Sequence, residues 1–446
     1  MTQKLLRDPL YDYIAIDIDQ HSWILDLINC PEVQRLRYIN QLGLSHFTYP
    51  GSTHSRFSHS LGVFHIMQEC LEYLNKFYGS YFNNGDKEAM LAAGLLHDVG
   101  HGPFSHTTEA FFGSHEERSV EIIISSESDV NKVLREVDQN LPIKVVSLIA
   151  EKPPKEASQS PLWQKAIISS QLDLDRLDFL RRDSLFSGAE YGNFDWYRIL
   201  QTMKLTERID DIQKVFMFWP DKTKYAIEEY LFSRFYMYQS VYFHHTTRSF
   251  EKVLQKILER AQWLASQNST TFGNSVLPSL KPFFQKHKNP SLQEFLNLTD
   301  YVLLAQTSEW KNVEDKILSD LVTKFFDRRY NGFKVACEFD FTTKTPMMTE
   351  IFDKEKSARE YLQGNNLDPD YYLLKDEFDV DVYKPYKPEL ETGISTPENV
   401  IMILDDTKPQ EICNLLPRLK PIAREFRTAR YYCPEEHKAD IKKLLG

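Results

Sequence analysis

The sequence is poor in the features that mark secreted, membrane and disulfide-rich proteins. Its five cysteines are odd in number and widely spaced, with no Cys-x-x-Cys pair, which excludes a disulfide framework and fits a reducing compartment. No apolar run approaches the roughly 18 residues of a membrane span, and the first residues lack the apolar stretch of a signal peptide. We therefore predict a cytoplasmic protein with no membrane partner.

Positive charge is in short supply as well. The formal net charge is −11, so no overall basic field points to nucleic acid, although a local basic groove would still admit nucleic acid or a phosphorylated substrate. With 446 residues, no low-complexity tract and no repeat of fixed period, the chain is long enough for two or three domains. We place a core at residues 1–265, a helical extension at 266–330 and a C-terminal domain at 331–446.

Helical spacing of apolar residues dominates the chain up to about residue 328. It predicts helices at 56–77 and 87–96, and one long helix or two at 224–259. Alternating apolar residues predict a strand hairpin at 4–16 and further strands beyond residue 331. Those later strands are predicted at 333–339, 378–383, 400–404 and 427–433, with helices at 409–415 and 437–445. The fold class is thus mainly α, with a helical body followed by a small α+β C-terminal domain.

The stretch 95–106, which reads LLHDVGHGPFSH, carries the strongest chemical signal. An apolar helix ends there in His97 and Asp98, and a buried imidazole beside a carboxylate needs a counter-ion or a metal. His101 stands four residues after His97, so both would share one face if the helix continued. Imidazole and carboxylate ligands suit borderline divalent metals. The alternative is that these histidines cap a helix end and bond to the backbone.

Two further polar groups lie on predicted helices. Arg56 and His59 fall where a helix starts, a place that favours anions, although each alone is better explained as a surface charge and a structural histidine. Asp175, Asp178 and Arg182 follow one another at i, i+3 and i+7 along a helix whose core is formed by leucines. The alternative for this second group is an outer face of salt bridges.

A stripe on the long predicted helix offers a third group. Arg234, Tyr238 and Tyr242 stand at i, i+4 and i+8, so they line up along the helix. A tyrosine stripe is usually core or interface. One headed by an arginine and ending near His244 and His245 could also hold a phosphorylated ligand.

Together these groups suggest a metal site supplied by three helices. Two neutral nitrogens and two carboxylates would bind a divalent cation, which lowers the pKa of bound water and polarises a phosphoryl oxygen. The ligands would be His59, His97, Asp98 and Asp175. His101 and His106 fall just outside this set and could donate or shuttle a proton. The candidates to hold phosphate charge are Arg56, Arg234 and Arg181 or Arg182.

These residues resemble the H…HD…D signature of the HD-domain phosphohydrolases. The longer stretches 36–43, 50–63 and 97–106 resemble the deoxynucleoside triphosphate triphosphohydrolase (dNTPase) branch, in a bacterial-type member, and the resemblance covers about residues 1–260. It implies a mainly helical HD fold with a catalytic core at 1–265, and a divalent ion, Mn, Fe, Mg, Zn or Ni, on the four ligands. It also implies water attack at the α-phosphorus of a dNTP, which gives a deoxynucleoside and triphosphate. The branch further implies a homo-oligomer, dimer or tetramer, and in some members an activating nucleotide.

The resemblance also implies roles for individual residues. The implied catalytic residues are His101, His106, Glu109 and His115, and the implied substrate-binding residues are Arg56, Arg176, Phe179, Asp183, Arg234, Tyr238 and Tyr242. Three positions depart from the family pattern: Glu109 replaces an Asp, Phe179 a Tyr, and Tyr238 a His found in some members. Two other functions therefore stay open, namely hydrolysis of another phosphoester (a nucleic-acid end or a nucleotide messenger) and a non-catalytic scaffold that senses nucleotides.

Overall fold

The computed structural model describes residues 2–153, 160–206, 215–267, 275–284, 290–327, 332–342, 348–385, 400–405 and 408–446. The chain begins with an antiparallel hairpin of β1 (Gln3–Asp8) and β2 (Asp12–Asp17), as predicted. In the part of the chain that the structure describes, no helix combines the length and the apolar character needed to cross a membrane.

A helical body follows the hairpin and carries the predicted site residues. Its helices are α1 (Ile18–Asn29), α2 (Pro31–Gln34), α3 (Arg56–Tyr78), α4 (Asp86–Leu96), α5 (Glu109–Phe112), α6 (His115–Ile124), α7 (Asp129–Val137), α8 (Leu141–Ile149), α9 (Leu162–Ile168), α10 (Leu174–Ser187), α11 (Trp196–Thr202), α12 (Lys224–Met237) and α13 (His245–Ser266). Two short strands, β3 (Lys204–Leu205) and β4 (Met217–Pro220), lie between α11 and α12.

Local chemistry sets the ends of the helices around the site. Gly85, in the left-handed region at φ 77°, precedes α4, and acidic residues in the first turn of that helix complement its dipole. Helix α4 ends at Leu96, so the condition under which His97 and His101 would share a helical face is not met. The segment 224–259 forms two helices, because a π-helical turn at Tyr238–Tyr242 separates α12 from α13.

The remaining chain adds a helical segment and the predicted α+β part, which confirms the fold class. Its helices are α14 (Lys281–Phe284), α15 (Leu292–Leu296), α16 (Asp300–Glu309), α17 (Lys316–Phe326), α18 (Met348–Gly364), α19 (Pro369–Tyr372), α20 (Ile412–Leu415) and α21 (Lys438–Leu445). Its strands are β5 (Phe333–Asp340), β6 (Leu374–Asp381), β7 (Met402–Asp405), β8 (Lys408–Glu411) and β9 (Glu425–Pro434). The helix predicted at 409–415 is wrong in its first half, because residues up to Glu411 pair with β7.

The strands after the hairpin form two sheets in the described residues, and one of them joins the C-terminal part to the body. Strand β9 lies between β5 and β6 in an antiparallel sheet, and β4 joins β7 in parallel within the sheet order β3-β4-β7-β8. Buried side chains of 380–422 pack with the helical body, whereas those of 333–374 and 431–445 pack with α13, α16 and α17. The domain limits at 265 and 330 stay predictions, and the second of them falls in 328–331, outside the described residues.

Candidate active site

Three elements bring the four predicted metal ligands to one point. His59 lies in the first turns of α3, His97 and Asp98 follow α4, and Asp175 lies in the first turn of α10. The Nε2 atoms of His59 and His97 are 3.2 Å apart, and Asp175 Oδ1 lies 3.0 Å from the first and 3.6 Å from the second. Asp98 Oδ1 lies 3.6 Å from His97 Nε2. We call these four residues the metal cluster.

The other nitrogen of each imidazole is already engaged, which decides what the facing nitrogens can do. Nδ1 of His59 lies 2.8 Å from Asp178 Oδ2, and Nδ1 of His97 lies 3.1 Å from the Gly94 carbonyl. Because both partners are acceptors, each Nδ1 keeps its proton, so Nε2 is the ring nitrogen that can release a proton and offer a lone pair to a metal ion. Two such lone pairs facing each other between carboxylates fit a divalent cation, and His59, His97 and Asp98 form a group that could hold one.

A chain of buried charges supports His59 from behind. Asp178 accepts from Arg182 at 2.8 and 3.0 Å and from the Tyr11 hydroxyl at 2.9 Å, and Arg182 donates in turn to Asp8 at 2.8 Å. Asp178 and Arg182 have no solvent exposure, so the outer face of salt bridges considered for this helix is wrong. The pair also explains Gly62, since a Cβ there would lie 1.9 Å from Asp178 Oδ1.

The electrostatic balance at this point favours a cation. Burial alone would lower the pKa of His59, but its hydrogen bonds to Asp175 and Asp178 raise the pKa to about 10. Burial raises the pKa of Asp98, yet Arg56 and the neighbouring imidazoles hold that pKa well below its usual range. Ionised carboxylates thus surround the two imidazoles, and they attract positive charge, either protons or a metal ion.

A second group, the histidine cluster, lies next to the metal cluster and consists of His101, His106, Glu109 and His115. The rings of His101 and His115 stack with centroids 4.1 Å apart, and His106 meets both edge-on. Glu109 Oε1 accepts from His115 Nδ1 and lies 3.2 Å from His106 Nδ1. Although burial raises the pKa of Glu109, its two histidine partners lower the pKa below the usual range. The carboxylate is therefore ionised and orients both imidazoles.

Arg56 joins the two clusters. Its Nε donates to the Ser105 hydroxyl at 2.9 Å and its Nη1 pairs with Asp98. His101 Nε2 lies 3.3 Å from Asp98 Oδ1, and burial together with the charge of Arg56 lowers the pKa of His101 well below its usual value. His101 is therefore neutral at physiological pH, while the guanidinium of Arg56 provides fixed positive charge.

A cleft of about 530 Å³ opens over both clusters. Ten of the predicted site residues line it: Arg56, Asp98, His101, His106, His115, Asp175, Phe179, Asp183, Tyr238 and Tyr242. His59 and His97 lie behind this surface, with side-chain exposures of 0% and 10%. Most of the site residues predicted from the sequence therefore lie around one cavity.

Two of the predicted substrate-binding arginines do not line the cavity that the described residues form. The guanidinium of Arg176 pairs with Asp173 at the start of α10. Arg234 donates to the carbonyl of Asp381 at 3.3 Å, and its Nε and Nη1 have no hydrogen-bond partner among the described residues. Both side chains are held within the protein, and their assignment to substrate stays a prediction.

The sugar-contact candidate Asp183 is held on both sides. Its carboxylate oxygens lie 2.8 Å from His54 Nε2 and 2.8 Å from the Tyr242 hydroxyl. The Phe179 ring lies edge-on to His59 and to Tyr242, with centroids 6.4 and 6.0 Å away. A carboxyl group oriented in this way next to aromatic rings suits a hydroxyl-bearing ring that stacks and donates a hydrogen bond.

Sequence reasoning missed the groups that support these residues. Asp178 was noted only on a helix face, and His54 only as part of a motif. Arg182 was noted on the same face and as an alternative to Arg181 for phosphate charge, but it is buried between Asp178 and Asp8 and does not line the cleft. Asp8 and Asp300 gave no signal, because each acts across more than 170 residues of chain through contacts that local spacing does not encode. Their one common trait is a charged residue among apolar ones, which is weak information without the fold.

Comparison with known proteins places this site in a family. The model of the HD domain matches residues 56–183, and that of the HD associated region matches 194–272. The uncharacterised protein YwfO of Bacillus subtilis is 35% identical over 390 residues, which cover 87% of this chain and 83% of that protein. The solved structure of a phosphohydrolase from Bacteroides thetaiotaomicron superposes with a TM-score of 0.76 at 28% identity, over 97% of this chain and all of the other.

A more distant relative has a named activity. The deoxynucleoside triphosphate triphosphohydrolase SAMHD1 of Homo sapiens is 30% identical over 237 residues, which cover 46% of this chain and 37% of that protein. The matched HD domain contains all four residues of the metal cluster. This chain belongs to the HD-domain phosphohydrolase superfamily, in its dNTPase-like branch.

Proposed function

We propose that this protein is a metal-dependent dNTP triphosphohydrolase. The observation that carries the proposal is the meeting of two imidazole Nε2 atoms, 3.2 Å apart, with Asp98 and Asp175 at the floor of a cleft that Arg56 and three histidines also line. The similarity to SAMHD1, which is named for this activity, supports the choice of substrate. The reaction adds water to the α-phosphorus and breaks its bond to the 5′ oxygen, which leaves as a deoxynucleoside hydroxyl beside free triphosphate.

The residues of the metal cluster would hold the ion. A divalent ion such as Mn, Fe, Mg, Zn or Ni, when bound there, supplies an acidified water and a Lewis acid for a phosphoryl oxygen. Arg56 and neutral His101 lie beside Asp98, where they can donate hydrogen bonds to phosphate oxygens on which negative charge grows.

The histidine cluster handles the proton of the leaving group in this proposal. Ionised Glu109 lies beside Nδ1 of His106 and of His115, so it accepts the N–H of each ring and fixes the orientation of both imidazoles. His106 is the more exposed of the two, with 70% of its side chain accessible, and its Nε2 can give a proton to the 5′ oxygen. Asp183 and Tyr242 would contact the sugar.

The first test is a chromatographic assay of purified protein with each dNTP alone and with mixtures, in Mn²⁺ or Mg²⁺. We expect deoxynucleoside and triphosphate, and in H₂¹⁸O the label should appear in triphosphate because water attacks phosphorus. The double variant His97→Ala, Asp98→Ala should give no product. Product only from mixtures would add an activating nucleotide site, and the homo-oligomer expected for this branch can be measured in the same samples by light scattering.

The assay also separates the competing functions. Pyrophosphate or monophosphate as product would replace the dNTPase proposal with another phosphohydrolase activity. A protein that binds metal and nucleotide but turns over no dNTP in any mixture would be a nucleotide sensor.

A further inference from the structure

Asp300 is a buried acidic residue that contacts the loops around the cleft from outside both matched regions. It is the first residue of α16, it is 2% exposed, and it lies beyond residues 56–183 and 194–272. Its two oxygens each accept one backbone N–H. Oδ1 accepts from Phe104 at 2.7 Å and Oδ2 from Asn40 at 2.8 Å.

Phe104 belongs to the loop that presents the histidine cluster. Phe104 and Ser105 both have φ of 53°, a left-handed conformation that is costly for residues with a Cβ and persists only where neighbours impose it. Ser105 accepts the Nε hydrogen bond of Arg56, and His101 and His106 lie on either side of the strained pair. A bond to the Phe104 amide therefore acts on the conformation that sets these side chains.

Asn40 belongs to the opposite loop of the cleft. It forms an isolated antiparallel bridge with Ser55, and the next residue, Arg56, donates its own amide to the Ile39 carbonyl at 2.9 Å. Gln41 follows Asn40 directly and lines the cavity. The two oxygens of Asp300 thus hold the two loops at a fixed separation, since a carboxylate spaces its acceptors by its own covalent geometry.

A buried arginine completes this support. Arg35 donates to the carbonyl of Leu298, two residues before Asp300, at 2.9 Å, and also to the carbonyls of Val99 and His101. Its charge lies near that of Asp300, so neither is buried without compensation. The helical segment at 292–309 is therefore bonded directly to Phe104 and, through Arg35, to Val99 and His101 of the histidine-bearing loop.

We propose that Asp300 is a positioning residue that fixes the histidine-bearing loop against the loop that leads into Arg56, a role that rests on the proposed function where turnover is concerned. Asparagine at this position keeps one acceptor oxygen, but its NH₂ would face the second backbone N–H. One of the two loops must then detach, and the strained pair at 104–105 loses its restraint.

Hydrogen exchange measured by mass spectrometry tests the positioning without any substrate. In the wild-type protein, the amides of Asn40 and Phe104 should exchange slowly, and rapid exchange of both in the folded protein would overturn the proposal outright. In Asp300→Asn, exchange in peptides covering 38–42 and 102–106 should rise about tenfold or more, as expected for local opening. The matched control is Asp315→Asn, at the start of α17, which should leave both peptides unchanged.

Steady-state kinetics adds a readout that simple loss of stability would not give. Asp300→Asn should lower kcat about tenfold through misplaced catalytic groups, with bound metal per folded protein unchanged. Asp300→Glu, which retains two acceptor oxygens, should recover part of both effects and serves as the second variant if Asp300→Asn does not fold. Unchanged exchange and unchanged kcat in a folded variant would refute the proposal. If the wild type hydrolyses no dNTP, the proposed function fails while the exchange experiment still decides the role of Asp300.

Discussion

The metal cluster and the histidine cluster share one cleft but are supported differently. Behind His59, every charge is paired with another buried charge in the order Asp178, Arg182, Asp8, and none of these reaches solvent appreciably. The histidine cluster opens to solvent at His106, and its loop is held by backbone bonds to Asp300. In the proposed function, metal binding would thus depend on side chains fixed within the helical body, whereas proton transfer would depend on a loop fixed from a distant segment.

The largest expected effect in this comparison comes from Asp178→Asn. The amide removes the charge that orients His59 and selects its tautomer, so metal affinity should fall by about 10–100-fold, the usual effect of losing such a partner. Isothermal titration with Mn²⁺ measures the affinity.

The control for that experiment is a substitution at Asp8, the next carboxylate in the same network of buried charges. Asp8→Asn also removes one of the two carboxylates paired with Arg182 but does not touch His59, so it should lower the thermal midpoint while leaving the Mn²⁺ affinity within about twofold of wild type. Equal losses of affinity in both variants would mean that the network stabilises the fold without tuning the metal ligands.

The second prediction concerns Asp300, which supports the loop of the histidine cluster, and the pH dependence of its contribution to stability. Burial raises the pKa of Asp300 to about 7, against the opposing effect of the amides of Asn40 and Phe104 and of Arg56 and Arg35. In the unfolded chain the pKa of an aspartate is about 3.9. Between that pKa and the pKa of folded Asp300, the folded protein binds a proton that the unfolded chain has released. The contribution of Asp300 to stability is therefore largest at low pH and falls by up to about 1.4 kcal/mol per pH unit as pH rises towards 7.

Comparing wild type with Asp300→Asn isolates this contribution, because the other titrating groups are common to both. The free energy of unfolding, measured by urea denaturation from pH 5 to about pH 9, should fall in wild type relative to the variant as pH rises, and the difference should become constant above about pH 8. A difference independent of pH would show that Asp300 has an ordinary pKa and that the loop bonds are made by a carboxylate at every pH tested.

The sequence was more informative about the metal cluster than about the residues that support the histidine cluster. The spacing of His59, His97, Asp98 and Asp175 identified residues that the fold does bring together, because a metal set is drawn from few residue types on strongly periodic helices. The same periodic logic misjudged Asp178 and Arg182, since a buried ion pair and an exposed one have identical spacing along a helix.

Residues that act across the chain escaped prediction for a related reason. Asp300 reaches the histidine loop from a helix that starts about 200 residues later, and no local pattern encodes that contact. The resemblance assigns Arg234 and Arg176 to the substrate, which stays a prediction, and it did not indicate that their guanidinium groups contact Asp381 and Asp173. Side-chain direction depends on tertiary partners that a family pattern does not specify.

The smallest expected effect, a change in kcat, comes from Glu109, the residue of the histidine cluster that replaces the Asp of the family pattern. Glu109 lies within hydrogen-bond distance of both His106 and His115, so its longer side chain retains both contacts. Glu109→Asp would withdraw the carboxylate by about one methylene and weaken one of them, which we expect to lower kcat about three- to tenfold with little change in metal affinity. Glu109→Gln, which keeps the length and removes the charge, should cost more, because a protonated imidazole then loses its counter-ion. If aspartate instead raised kcat, the surrounding loop would already be adapted to the shorter acid, and the distance from Glu109 to His106 would not be the quantity that limits proton transfer.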